Sequence, residues 1–387
     1  MILPIVAVVV LGLASPAPTN GPMQPGAYRS QDGHAFYVGP ERTLPDKRFD
    51  QYYDDVTRRI GDARSLGPLR QIATVQERRF LVNVDGARLG ASMWHASEGR
   101  RPAMVLIHGN DDETREMGFL IPFFVLHGMS VITYDQRGTG ESAGSWRGEG
   151  PPDRARDVAV LIATAKQDAH VDPHAIGLWA FSNGGWTAPI VAARVPVAFM
   201  ILKSAPAETQ QDDILYEVDQ RMREHHYGHA EIQAALQVDR TIIDALSGHA
   251  PWSQARAKYV YAKRQRWFAD SALPYDFPMP PPPALAAAFR RAAIYDPAPT
   301  LRRVRTPTIA FFGALDRNVN FGYSAPAFRR YFKSAGMHDF TERIYPNAGH
   351  SLEIPETGYY DQPMLPRRLV PYLPTTIQWL RARHFAN

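Results

Sequence analysis

The sequence contains no cysteine among its 387 residues. Disulfide bonds, thiol nucleophiles and cysteine-ligated metal sites are therefore excluded. A strong excess of one charge is also missing, because the formal net charge is only +4 and Lys and Arg do not form the dense blocks of a nucleic-acid-binding surface. No glycine-rich loop follows a strand and opens a helix as a phosphate-binding loop would. We therefore expect no nucleotide, no redox cofactor and no nucleic-acid partner.

A hydrophobic run long enough to span a bilayer is missing as well. The apolar run at 1–13, MILPIVAVVVLGL, is shorter than the roughly 20 residues that a membrane span needs. It is followed by small residues spaced as in a cleavage site, although no basic residue precedes it. We expect residues 1–17 to be a signal segment that directs export to the periplasm or the medium. A cytoplasmic protein with an apolar N-terminus is the alternative.

The segment 175–195, AIGLWAFSNGGWTAPIVAARV, joins an apolar run to an alanine-rich stretch through a serine and two glycines. The pattern predicts a strand, a sharp turn and a helix, with Ser182 on the turn. This arrangement is the nucleophile elbow, in which the turn exposes the serine hydroxyl above the sheet. Ala180 takes the place of the usual first glycine, and Pro189 is expected to kink the helix.

A second serine fits the literal G-x-S-x-G pattern better than Ser182 does. It is Ser142, in the string GESAG at 140–144. No strand leads directly into this string, and SWRGEGPPD rather than a helical pattern follows it. A motif is identified by its structural setting, so we assign the nucleophile to Ser182 and a structural turn to Ser142.

Hydrophobic patterning divides the rest of the chain into three parts. Residues 18–75 read as an extension, with a hairpin at 28–38 and a short helix at 49–63. Residues 76–205 and 300–387 alternate strands and helices, which predicts a mostly parallel sheet flanked by helices on both faces. Within these parts we expect helices at 114–127 and 367–385. Residues 206–299 contain helical patterns alone, so we expect a helical cap over the carboxyl ends of the strands, where ligands bind in such sheets.

Three polar residues follow the apolar runs of predicted strands, in the order Ser182, Asp316 and His350. Because the carboxyl ends of parallel strands share one edge, these side chains are expected to meet. A serine needs a base to accept its proton, and a carboxylate keeps that histidine in the correct tautomer. The oxyanion needs preorganised N–H donors, and we expect them at Asn183 and at Asn110.

Other residues offer alternative interpretations. Glu208 and Asp212 are substitute candidates for the acid, and His108 is expected to be structural. A histidine group invites a metal site but has no carboxylate at diagnostic spacing, so we expect no metal there; it comprises His225, His226 and His229.

Five motifs carry a resemblance to a known family: HGN at 108–110, DQRGTGES at 135–142, AFSNGG at 180–185, GALD at 313–316 and NAGH at 347–350. The chain resembles serine hydrolases of the α/β-hydrolase superfamily, and it is similar to capped bacterial esterases and to dienelactone-hydrolase-like and prolyl-oligopeptidase-like members. The resemblance implies the α/β-hydrolase fold over residues 76–387 and a structural turn at 135–142. We expect hydrolysis of a small carboxylic ester through an acyl-enzyme. Amide or short-peptide hydrolysis and non-catalytic ligand binding are the alternatives, and the sequence leaves the oligomeric state open.

Overall fold

A computed structural model describes residues 22–44, 47–96, 99–110, 112–272, 278–354 and 367–387. The predicted signal segment at 1–17 lies outside these residues. No helix within the described ranges is both long and apolar enough to cross a membrane.

The first described strands form an antiparallel sheet of their own. They are β1 (Gly26–Ser30), β2 (Ala35–Leu44), β3 (Lys47–Asp54), β4 (Arg59–Asp62) and β5 (Leu69–Thr74). The predicted hairpin at 28–38 is confirmed, since β1 pairs antiparallel with β2.

The predicted helix at 49–63 is wrong, because this segment forms β3 and β4. The two neighbouring tyrosines on β3 explain the error. Tyr52 packs into a cluster with Phe36 on one face of the sheet, whereas Tyr53 packs against Phe119 on the other. Successive side chains point to opposite faces only in a strand. Both faces are buried here, so the sequence lacks the apolar–polar alternation that would have indicated a strand.

The central sheet has eight strands in the spatial order β13-β12-β11-β10-β8-β9-β7-β6. They are β6 (Gln76–Val84), β7 (Ala87–His95), β8 (Arg101–Ile107), β9 (Ser130–Tyr134), β10 (Val171–Phe181), β11 (Met200–Lys203), β12 (Thr308–Gly313) and β13 (Phe340–Tyr345). The six strands from β13 to β9 in this order run parallel, and β7 is antiparallel to both of its neighbours. The parallel strands read as continuous apolar runs because helices cover both of their faces.

The helices lie on the two faces of this sheet and in one long insertion. They are α1 (Leu120–Leu126), α2 (Pro151–Ala165), α3 (Gly184–Ala192), α4 (Gln210–Glu224), α5 (His229–Ser247), α6 (Trp252–Ala262), α7 (Pro283–Ala293), α8 (Ala298–Leu301), α9 (Phe321–Ser334) and α10 (Tyr372–Arg381). Helices α2, α3 and α9 share one core cluster with the sheet, and α1 and α10 share the other.

Two predicted helices are shorter than expected. Helix α1 covers only the second half of 114–127, since Gly118 in front of it has a positive φ of 57°. At the C-terminal end, Arg367–Arg368 forms a strand, β14, instead of the start of a helix. This strand pairs with β4 and becomes the edge of the N-terminal sheet. The N-terminal sheet therefore contains a strand from the end of the chain.

Helices α4 to α7 form the helical insertion between β11 and β12, and we use this name for residues 210–293. Most of the cluster that these helices bury is their own, with Val218, Ile242 and Tyr259 among its buried members. The insertion thus has a hydrophobic core separate from the two that flank the sheet.

Candidate active site

Ser182 lies on the turn between β10 and α3, as the sequence predicts. Its φ is +52°, a left-handed conformation that a residue with a side chain adopts at a cost. The helix begins immediately afterwards and lies very close to β8: a Cβ atom at Gly184 would be 2.6 Å from the carbonyl oxygen of His108. Helix α3 continues through Pro189.

His350 lies between Ser182 and Asp316 and contacts both. Its Nε2 is 3.0 Å from Ser182 Oγ, and its Nδ1 is 2.9 Å from Asp316 Oδ2. A carboxylate can only accept a hydrogen bond, so Nδ1 carries the proton and Nε2 is left to accept from the serine hydroxyl. The three predicted residues therefore form one connected chain of hydrogen bonds.

Backbone and side-chain contacts hold Asp316 and His350 in this chain of hydrogen bonds. Asp316 Oδ1 accepts hydrogen bonds from the backbone N–H groups of Asn318 and Val319, both at 2.9 Å. Ser204 Oγ donates to the carbonyl oxygen of His350 at 2.6 Å, and the imidazole lies 4.9 Å from the ring of Phe181 between centroids. Asp316 and His350 are almost completely buried. These contacts hold the carboxylate and the imidazole in the orientation that the hydrogen bonds to Ser182 and to each other require.

The two substitute candidates for the acid have other partners. Glu208 is buried and accepts hydrogen bonds from Ser324 Oγ and from two backbone N–H groups. Asp212 lies at the start of α4 and bonds Thr209 Oγ1 at 2.7 Å. Burial raises the pKa of Glu208 above its usual value.

Ser142 has a structural position. Its Oγ donates to the carbonyl oxygen of Asp135 at 2.7 Å and accepts from the N–H of Gly90 at 3.0 Å. Both bonds are buried, and they tie the turn after β9 to β7. The assignment of the nucleophile to Ser182 rather than Ser142 stays a prediction.

The two residues predicted to supply oxyanion donors both lie beside Ser182. Asn183 directly precedes α3, and Asn110 follows β8. Gly109 lies against the serine, since a Cβ atom there would be 3.3 Å from Ser182 Cβ. His108 Nε2 contacts the carbonyl oxygen of Tyr134 at 2.6 Å, and its complete burial lowers its pKa. This histidine therefore has the structural role that the sequence suggested.

Ser182 and His350 open into a cavity of about 240 Å³. Its walls combine apolar side chains with three carboxylates, and no Lys or Arg contributes to them among the described residues. The lining residues are Gly109, Asn110, Glu113, Phe181, Ser182, Asn183, Trp186, Gln210, Asp213, Ile214, Glu217, Ala292, Asn318, Val319 and His350.

Sequence reasoning missed the wall that α4 contributes. Gln210, Asp213 and Glu217 are spaced three or four residues apart, so they lie along one stripe of the helix. Asp213 is buried, and burial together with the charges of Glu208 and Glu217 raises its pKa well above the usual value. The spacing alone was the available signal, but it also fits an ordinary solvated helix face.

The histidines of the insertion do not assemble a metal site. His225 Nδ1 contacts Asp270 Oδ1 at 2.9 Å. The described residues contain no group of three or more His, Cys, Asp or Glu side chains that would hold a metal ion.

Comparison with known proteins finds a curated relative that matches part of this chain. The thiohydrolase aneE of Aspergillus aculeatus is 35% identical over 117 residues, which cover 30% of this chain and 36% of that protein. The chain thus matches only about a third of the length of this curated relative.

Among solved structures, an esterase from Pyrococcus furiosus is similar with a TM-score of 0.48 and 13% identity, covering 79% of this chain and 91% of that one. A putative dienelactone hydrolase from Klebsiella pneumoniae is similar with a TM-score of 0.47 and 10% identity. The match covers 81% of this chain and 98% of that one.

The profile of the family described as serine aminopeptidase, S33, matches residues 98–356. This range runs from the start of β8 past His350, so it includes the strands that carry the site. The predicted α/β-hydrolase fold and the resemblance to that superfamily are confirmed: the chain belongs to the serine aminopeptidase (S33) family of α/β hydrolases.

Proposed function

We propose that this hydrolase cleaves small carboxylic esters through an acyl-enzyme formed on Ser182. The observation that carries the proposal is the 3.0 Å contact between Ser182 Oγ and His350 Nε2, with Asp316 on the opposite ring nitrogen. A serine hydroxyl is a weak nucleophile unless a positioned base accepts its proton. This contact supplies that base.

In the proposed reaction, Ser182 Oγ attacks the ester carbonyl carbon while its proton passes to His350 Nε2. The tetrahedral intermediate collapses when His350 returns the proton to the leaving alcohol, which leaves the acyl group on Ser182. A water molecule then attacks the acyl carbon with His350 again as the base, and the acid is released. Asp316 accepts the hydrogen bond from His350 Nδ1 throughout and stabilises the imidazolium.

The charge that develops on the carbonyl oxygen needs donors in place before the reaction. The backbone N–H groups of Asn183 and Asn110 are the proposed pair. Both residues line the cavity beside Ser182. Removing one such donor from an enzyme typically slows kcat by about 10²- to 10³-fold.

The walls of the cavity bear on the substrate class. A volume of about 240 Å³ suits a small acyl or alcohol group, since sites for drug-sized ligands occupy roughly 300–1,000 Å³. Glu113 and Glu217 would repel a carboxylate or a phosphate on the substrate, whereas burial raises the pKa of Asp213 beside them. We therefore propose neutral or positively charged esters, with the helical insertion acting as a cap that selects among them.

Two other reactions use the same three residues. An amide or short-peptide bond differs in its leaving group. A thioester is suggested by the fungal relative, which is a thiohydrolase. Non-catalytic ligand binding is an alternative of a different functional class. It would not explain why a serine contacts a histidine that is itself held by a carboxylate.

The nucleophile is tested by labelling with a fluorophosphonate, which reacts with activated serines. The proteins are the wild type, Ser182→Ala, His350→Ala and the matched control Ser142→Ala. We expect the wild type and the Ser142 variant to label, and the other two to fail. Labelling of folded Ser182→Ala would refute the assignment, and an unlabelled wild type would favour a binding protein.

The reaction class is tested with one acyl group presented as an ester, a thioester and an anilide. We expect the largest kcat/KM for the ester. A second series compares butyrate, 4-aminobutyrate and succinate monoesters of the same alcohol. Faster cleavage of the succinate monoester than of the butyrate would contradict the proposed role of the acidic walls.

A further inference from the structure

The carbonyl oxygen of Gly109 receives two hydrogen bonds from side chains on other elements. Arg154 Nη1, on α2, donates to it at 3.0 Å. Gln136 Nε2, on the turn after β9, donates at 3.2 Å. These two bonds fix the plane of the peptide group that joins Gly109 to Asn110.

The orientation of that plane determines where the Asn110 N–H points. In a trans peptide the C=O and N–H groups of one unit point in nearly opposite directions. Arg154 and Gln136 hold the carbonyl on one side, so the N–H of the same unit is directed to the other side. Ser182 is a close neighbour of this segment, since a Cβ atom at Gly109 would be 3.3 Å from Ser182 Cβ.

Arg154 makes a second bond to the same short segment. Its Nη2 donates to Asn110 Oδ1 at 2.9 Å, so one planar guanidinium binds both residues of the peptide unit. The guanidinium also lies over the ring of Trp146, with Cζ 5.4 Å from the centroid. A rigid, planar group with two donors restrains the segment more than a single flexible amine would.

We propose that Arg154 and Gln136 are positioning residues that hold the Gly109–Asn110 peptide with its N–H directed at the oxyanion formed on the substrate. The inference rests on the proposed acyl transfer at Ser182. It assigns a positioning role to a side chain on α2 that acts on the reaction through the Gly109–Asn110 segment.

The charge of Arg154 has a second effect. A hydrogen bond from a cation to a peptide carbonyl withdraws electron density from the amide and makes its N–H a stronger donor. The effect matters more in the transition state than in the bound substrate, because negative charge develops on the oxygen only as Ser182 attacks. Loss of Arg154 is therefore expected to lower kcat and to leave KM nearly unchanged.

A purely structural anchor would behave differently. It would change stability, or it would change binding and turnover together. The experiment therefore measures kcat and KM separately, together with the affinity for a trifluoromethyl ketone, which forms an oxyanion on Ser182, and for the corresponding methyl ketone, which stays largely a carbonyl.

The variants are Arg154→Ala and Gln136→Met, with Arg156→Ala as the matched control. Arg156 lies on the same helix, but its guanidinium pairs with Asp85 and Asp153 at the surface. We expect Arg154→Ala to lower kcat by about 10- to 100-fold, somewhat less than the loss of a donor itself. Affinity for the trifluoromethyl ketone should fall by a similar factor, and affinity for the methyl ketone by less than twofold.

Chemical rescue separates positioning from misfolding. Millimolar guanidinium should restore part of the kcat of Arg154→Ala. We expect Gln136→Met alone to lower kcat by about threefold to tenfold, and guanidinium should not change the kcat of this variant. The control Arg156→Ala should retain the wild-type kcat.

The inference is overturned if Arg154→Ala has the wild-type kcat, or if it loses affinity for the two ketones by the same factor. If Arg154→Ala does not fold, Gln136→Met alone decides by the same ketone comparison. Fluorophosphonate labelling of the wild type distinguishes this failure from failure of the proposed function. A labelled, active wild type with an unaffected Arg154→Ala refutes only the positioning role.

Discussion

Asp213 is the buried carboxyl group for which the structure makes the sharpest stability prediction. It faces the cavity from α4, and its Oδ1 is buried without a hydrogen-bond partner among the described residues. An unsatisfied buried polar group costs about 1–3 kcal/mol. We therefore expect Asp213→Leu, which removes the group at similar volume, to raise the free energy of unfolding by about 1–3 kcal/mol at pH 7.

The pH dependence follows from the raised pKa. Burial, followed by the negative charges of Glu208 and Glu217, raises the pKa of Asp213 in the folded protein. Above the unfolded value of about 3.8, the folded state binds more protons at this site than the unfolded state does. Folding stability therefore falls as the pH rises from that value towards the folded-state pKa. The advantage of Asp213→Leu should accordingly be smallest near pH 4 and should grow towards pH 7.

Urea denaturation at pH 4 and pH 7 measures the gain in the free energy of unfolding and its change with pH. The control is Asp219→Leu, since Asp219 lies on the same helix but pairs with Arg223 at 2.7 Å. Removing this partnered carboxylate should give no stabilisation. A lower stability of Asp213→Leu than of the wild type at pH 7, or a gap that does not widen with pH, would refute the reasoning.

Two further predictions concern buried side chains outside the proposed triad. Burial lowers the pKa of Lys203 to about 8, so stability rises as the pH increases from about 8 to 10.5. Lys203→Met should therefore stabilise the protein by up to about 3 kcal/mol at pH 7 and by much less at pH 10.5, measured by urea denaturation; equal effects at both values would contradict this. Tyr53 is completely buried between the N-terminal sheet and α1, so Tyr53→Ala should cost roughly 3–5 kcal/mol in the same assay. A loss below about 1 kcal/mol would mean that this sheet contributes little to the core.

Much of the site could be predicted because its residues follow strands of a parallel sheet. Ser182 and Asp316 precede His350 by 168 and 34 residues along the chain, yet each of the three follows a short apolar run. A parallel sheet brings such positions to one edge, so the strand pattern was enough to group them. Their proximity depends on the backbone, which the sequence encodes through local hydrophobic runs.

The N-terminal sheet could not be predicted in the same way. Its strand β3 is buried on both faces, and aromatic residues occur at consecutive positions such as Tyr52 and Tyr53. Its edge strand β14 comes from residues about 300 positions later, which no local pattern indicates. Pairing between distant segments is decided by tertiary packing, so single-sequence patterns do not reveal it.

The segment 135–142 shows how a motif can be recognised before its purpose is understood. The sequence predicts a structural turn rather than a nucleophile at Ser142 but gives no reason for the polar residues around it. In the folded chain Asp135 binds the backbone N–H and the guanidinium of Arg115, and Thr139 Oγ1 donates to the carbonyl oxygen of Glu113 at 2.7 Å. Gln136 holds Gly109.

All three contacts tie the turn after β9 to the chain that leaves β8, the strand next to β10. The turn therefore holds the segment that follows β8 in place beside Ser182. A loop has no β-ladder of hydrogen bonds to fix its peptide planes, so its backbone groups need other partners. The polar residues of the turn supply those partners. The proposed reaction at Ser182 needs oxyanion donors that are held in place before it starts. The residues that hold the Gly109–Asn110 peptide therefore belong to the proposed mechanism as much as those that contact the substrate.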